Sequence, residues 1–166
     1  MGASRKGIPR MIPLTEHEHY LSMALALAQE AAAHDEIPVG AVLVKDGRVI
    51  AQARNEREEQ HDISAHAEIL ALRRGGEALG GWNLAGCTLY VTLEPCPMCA
   101  AAIVQSRVDL CVFGAPDPAM GGMGSLYALH LDPDLRSRTQ VIGGILEAPC
   151  RAVLQAYFEQ KRKDKS

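Results

Sequence analysis

The stretch from Thr88 to Phe113 restricts the fold more than any other part of the chain. Thr88 to Leu93 reads as a strand, Pro97 to Gln105 as a short helix opened by a proline at its first turn, and Val108 to Phe113 as a second apolar strand. Two strands joined by a helix in so short a span imply a right-handed parallel crossover, which commits the chain to a helix-covered sheet. The flanking segments extend that sheet. Val39 to Val44 is a continuous apolar run of the kind buried on both faces, Asp46-Gly47 signals a hairpin, and Val49 to Ala53 is the return strand. Val141 to Leu146 reads as a weaker fifth strand.

Helices fill the gaps. Tyr20, Met23, Ala24, Leu27, Ala28 and Ala31 recur at helical spacing, with Thr15 as the expected N-cap and Pro38 ending the segment. Arg54 to Asp62 reads as a charged loop. Ser64 is the expected cap of a second helix whose Ile69, Leu70 and Leu72 face inward, with Gly75-Gly76 and Gly80-Gly81 closing it. Gly114 to Ser125 is a Gly/Pro-rich loop, a short helix is expected from Ser125, and a last helix from about Glu147 to Lys163. The fold class is therefore α/β: a three-layer α/β/α sandwich with a mixed, mostly parallel five-stranded sheet. Residues 1–14 read as a flexible arm and 15–166 as one domain, a length at which folding buries about 70% of the unfolded chain's surface.

Composition excludes several classes. Met1 to Arg10 lacks the apolar run of a signal peptide, and no stretch is long enough to span a bilayer, so a cytoplasmic protein without a membrane partner is expected. The net charge of -3 provides no general field for polyanions, so any such contact must be local. An odd number of cysteines with one tight Cys-x-x-Cys pair points to metal or redox chemistry, not a disulfide framework.

That pair is part of the sharpest functional signal: His66-Ala67-Glu68, followed by Pro95-Cys96-Pro97-Met98-Cys99. Two thiolates and one imidazole make three ligands for zinc, one ion per subunit. Cys111 lies inside an apolar strand, and Cys87 and Cys150 are isolated, so the fourth position stays open for water, as catalytic zinc requires. Cys96 and Cys99 flank a helix start, where free N–H groups favour thiolates. Glu68 stands two residues after His66, and such a pair converges only in a helix's first turn. The spacing matches the H-x-E…P-C-x-x-C signature of zinc deaminases, with Glu68 as the proton-transfer group.

On these motifs the chain resembles bacterial tRNA-specific adenosine deaminases of the TadA family, from about Thr15 to Arg162. Asp35 to Val42, Ser64 to Ile69, Thr88 to Ala100, Val112 to Ala115 and Gly124 to Leu126 carry the likeness most densely. The resemblance implies a cytidine-deaminase-like fold, a homodimer, and hydrolytic conversion of the wobble adenosine of tRNA-Arg to inosine. It implies that Asn55 hydrogen-bonds the flipped base, and that the loop carrying Asp117 and the final helix meet the anticodon loop. Within that helix Leu154, Tyr157 and Phe158 share a face, and Lys161 and Arg162 follow, an aromatic and basic combination suited to RNA. The family's pattern is departed from at Ala119, where Lys is usual, and at Arg136-Ser137-Arg138, where Asn-His-Arg is frequent. The same metal motif also serves deaminases of free guanine or cytosine.

Overall fold

The computed structural model describes residues 11–165. Five strands form one sheet in the order β2-β1-β3-β4-β5: β1 Gly40–Lys45, β2 Arg48–Arg54, β3 Cys87–Leu93, β4 Leu110–Ala115 and β5 Gln140–Ile142. β1 is antiparallel to both β2 and β3, while β3, β4 and β5 pair in parallel. Four strands thus run in one direction and β1 alone opposes them. The hairpin turns at Asp46 and Gly47, both at positive φ, as a two-residue turn demands.

α1 (Leu14–Ala33) and α5 (Glu147–Asp164) cover one face of the sheet, through Leu21, Ala24, Val42, Tyr90, Val112 and Cys150. α3 (Ala67–Leu79) and α4 (Pro97–Gln105) cover the other, over Leu43, Leu70, Leu89, Ile103 and Cys111. The result is the three-layer arrangement expected from the crossover. α1 lies so close to β1 that a Cβ on Gly40 would come within 2.0 Å of the Ala24 carbonyl oxygen, so only glycine allows that approach.

Several local expectations are corrected. Thr15 is not the cap of α1: the helix starts one residue earlier, and the Pro13 carbonyl accepts the N–H groups of Glu16 and His17. Of the expected arm, residues 1–10 lie outside the described residues, and Leu14 is already helical. Ser64 does not cap α3. Its N–H and hydroxyl both go to the Asp62 carboxylate, at 2.8 and 2.7 Å, and His66 takes the cap position. Gly75 and Gly76 lie within α3, and Gly80 ends it at φ 76°. The charged loop contains one helical turn, α2 (Arg57–Gln60). No α-helix starts at Ser125, because its N–H and hydroxyl are drawn to Glu94. Two 3₁₀ turns follow instead, at Leu129–Leu131 and Pro133–Leu135. β5 is shorter than predicted and ends at Ile142.

Candidate zinc centre

The crossover brings two helix mouths together. His66 is the N-cap of α3, extended at φ -72° and ψ 151°, so its ring projects from the helix start. Cys96 is the N-cap of α4 at φ -67° and ψ 170°, Pro97 occupies the first helical position, and Cys99 follows within the first turn. Neither cap residue bonds the helix through its side chain, which leaves both free for another partner.

The donor atoms of His66, Cys96 and Cys99 lie within 4.8 Å of one another, the one such cluster among the described residues. His66 Nδ1 is 3.7 Å from Cys96 Sγ and 3.4 Å from Cys99 Sγ. A tetrahedral ion with its usual Zn–S and Zn–N bonds sets an S···N edge of about 3.5 Å. The three side chains therefore stand at the spacing of zinc ligands, and they fit the ion. Zinc is the cofactor of this centre. Cys87, Cys111 and Cys150 are buried elsewhere and do not join it, so three ligands leave one coordination position for water.

The ligand side chains perturb one another strongly. The hydrogen bond from the Cys99 thiol draws Cys96 down to about 4 against the cost of burial, and His66 contributes in the same sense. The same bond, with burial, pushes the Cys99 thiol up. His66 is raised, chiefly by its contact with Cys96 and further by Glu68. Glu68 sits at the second position of α3, 4% exposed and outside the ligand cluster. Burial raises its pKa above the ordinary carboxyl value, which suits a carboxyl that takes up and releases protons.

Asn55 follows β2 and is 6% exposed. Its Nδ2 donates to the Ile37 carbonyl at 3.2 Å, and its Oδ1 accepts from Arg57 N–H at 3.1 Å. One amide hydrogen and one lone pair remain for a ligand. The next residue, Glu56, donates its N–H to the Ala65 carbonyl at 3.0 Å, tying this loop to the segment that presents His66. Asp117 spends its carboxylate on its own loop, accepting from Ala119 and Met120 N–H at 3.1 and 3.2 Å.

The α5 residues are less uniform than expected. Phe158 is exposed and packs edge-on against Tyr157 at 5.4 Å. Tyr157 instead turns inward and donates to the Asp35 carbonyl at 3.4 Å. Lys161 is ion-paired with Asp35 and stands over the Tyr157 ring, whereas Arg162 is exposed.

Two buried acids were missed as functional residues. Glu36, fully buried, accepts from Glu58 and Glu59 N–H at 2.8 and 3.1 Å and so anchors α2 beside Asn55. Glu94, 2% exposed, accepts from three loop N–H groups and the Ser125 hydroxyl. Burial would raise its pKa, but those hydrogen bonds outweigh it and hold the carboxyl below its ordinary range. The sequence signal is slight: Glu94 directly follows an apolar strand and precedes Pro95, and Glu36 stands two residues before Pro38.

This fold and donor set define a class. The family model of the cytidine and deoxycytidylate deaminase zinc-binding region matches residues 14–115. Within that class the chain belongs to the tRNA-specific adenosine deaminase family: it is 46% identical over 152 residues to the tRNA-specific adenosine deaminase of Bacillus subtilis (strain 168), covering 92% of this chain and 94% of that one. A solved structure from work on A-to-I editing by tRNA:A34 deaminases at the wobble position of transfer RNA superposes with a TM-score of 0.80 at 44% identity, covering 82% of this chain and 99% of that chain. An X-ray structure of guanine deaminase from Bacillus subtilis is similar over less: 60% of this chain and 64% of that one, at 41% identity and a TM-score of 0.58.

Proposed function

We propose that the protein hydrolyses adenosine to inosine at the wobble position of a transfer RNA, with tRNA-Arg as the expected substrate. The observation that carries the chemistry is the meeting of His66, Cys96 and Cys99 at two helix mouths with buried Glu68 beside them. Zinc at that position supplies Lewis acidity, which makes water nucleophilic near neutral pH. Glu68 accepts one proton from the attacking water and passes it to the ring nitrogen, then takes the proton of the new C6 hydroxyl and passes it to the amino group, which leaves as ammonia. Its burial keeps competing solvent from that carboxyl. Asn55, pinned by two backbone partners, presents its remaining donor and acceptor to the edge of the flipped base. Phe158 and Arg162 stack and grip on the RNA side, with the Asp117 loop as a further RNA contact.

The substrate assignment follows the relatives, whose likeness spans nearly the whole chain. The similarity to a guanine deaminase covers less of both chains, and it makes free guanine the competing substrate. Assaying an anticodon stem-loop beside guanine, cytosine and cytidine separates the two. Ammonia release from the stem-loop is the expected result, and turnover of guanine alone would reverse the assignment.

The reading also includes one zinc-dependent domain over residues 15–166, a homodimer and a cytoplasmic location. Among the described residues no helix is long and apolar enough to cross a membrane. Trp82 is 65% exposed beside a groove lined by Ile69, Leu72 and Leu84 on the α3/α4 side, a surface consistent with self-association. Sedimentation at micromolar concentration tests it.

A further inference from the structure

Glu94 stands two residues before the zinc ligand Cys96, and its carboxylate makes no contact with the metal cluster. Its hydrogen-bond donors come from a single loop. Oε1 accepts from Asp117 N–H at 3.1 Å and from the Ser125 hydroxyl, and Oε2 accepts from Met123 and Ser125 N–H at 3.1 and 3.0 Å. The loop is shaped to allow this. A Cβ on Gly121 would fall 2.1 Å from Glu94 Oε2, and one on Gly122 would meet Pro97 and Ala100 at 3.0 Å. Gly122 N–H also donates to the Pro95 carbonyl at 2.7 Å. The same short stretch, Glu94 to Pro97, therefore holds a metal ligand and tethers both ends of the 117–125 loop.

We propose that Glu94 is a positioning residue that fixes the 117–125 loop in its RNA-receiving shape and thereby sets the enzyme's apparent affinity for RNA. This rests on the tRNA reading above. The loop's outward residues, Pro118, Ala119 and Met120, are exposed, and the Asp117 carboxylate is already used inside the loop. The loop's geometry therefore depends on a charge supplied from β3's end. A neutral amide cannot replace it. With the Glu94→Gln nitrogen at the Oε1 position, the Ser125 hydroxyl can rotate to accept, but Asp117 N–H loses its partner. In the opposite orientation Met123 and Ser125 N–H lose theirs.

The test compares zinc-loaded wild type, Glu94→Gln, Gly121→Ala and the double variant on an anticodon stem-loop. Each single variant is expected to keep one zinc per chain and raise KM by about tenfold or more, with kcat within about threefold. Because both substitutions break one contact, the double variant is expected to be no worse than the poorer single one. Hydrogen exchange should speed up within 117–125 and stay unchanged over 96–105. Loss of zinc, a fall in kcat at constant KM, or additive effects would overturn the proposal. If wild type forms no inosine, the tRNA reading fails by itself. Exchange then decides whether Glu94 holds the loop, and unchanged exchange in 117–125 rejects that too.

Discussion

The zinc end of the molecule and the α5 helix face the same proposed substrate but are built differently. At the zinc end the site residues are held by the fold: His66 and Cys96 at helix caps, Asn55 on two backbone partners, Glu94 on four donors. On α5 only Cys150 is buried, Phe158 and Arg162 are exposed, and Lys161 answers to Asp35. The contrast separates two jobs. Chemistry needs groups held in position before substrate arrives, because reorganisation would add to the barrier. A polyanion can be gripped by mobile side chains whose individual geometry matters little.

The largest effects should therefore fall at the zinc end. Cys96→Ser is expected to lose metal, thermal stability and activity together, since metal binding and folding are coupled. Glu68→Ala should keep one zinc per chain and lose about a hundred- to ten-thousand-fold in kcat, the range of general acid–base catalysis. Metal analysis alongside turnover checks both, and zinc loss in the Glu68 variant would make that residue a ligand instead. Asn55→Ala comes next. It should leave zinc in place and cost about 1–3 kcal/mol in kcat/KM, the penalty for unpaired polar groups on the base. Unchanged kcat/KM would reduce Asn55 to a loop anchor.

Deleting residues 161–166 should have a smaller effect. Each lost phosphate contact should lower the slope of log affinity against log salt by about 0.7–0.9, and KM should rise at constant zinc. Lys161→Ala should do less than Arg162→Ala, because Lys161 is already paired. Equal or reversed effects would show that the Asp35 pair opens on binding.

The smallest effect concerns neither region. His17 is buried on the inner face of α1, with Nδ1 2.8 Å from the Tyr90 hydroxyl, and burial lowers its pKa despite the opposing charge of Glu16. A depressed histidine takes up protons on unfolding, so its contribution is complete above the unfolded value near 6.5 and is lost as pH falls below it toward the folded value. Denaturant melts at pH 7.5 and 5.5 should show a smaller pH-dependent loss in His17→Gln than in wild type. Equal losses would exclude His17.

The contrast also explains what the sequence revealed. The parallel crossover and the metal ligands were legible because apolar runs and H-x-E…P-C-x-x-C spacing are local patterns. The helix starts were read less well. Ser64 looks like a cap, but Asp62 takes both its N–H and its hydroxyl. Glu36 and Glu94 were invisible because their donors lie more than twenty residues away in the chain, at Glu58 and Asp117. The α5 reading combined Tyr157 with Phe158, and only tertiary packing shows that one turns inward.

The most direct measurement is sequencing a tRNA-Arg transcript after incubation with zinc-loaded protein. Inosine at the wobble adenosine, absent with Glu68→Ala and absent when that position carries another base, is the predicted result. An unmodified transcript together with rapid turnover of free guanine would contradict it.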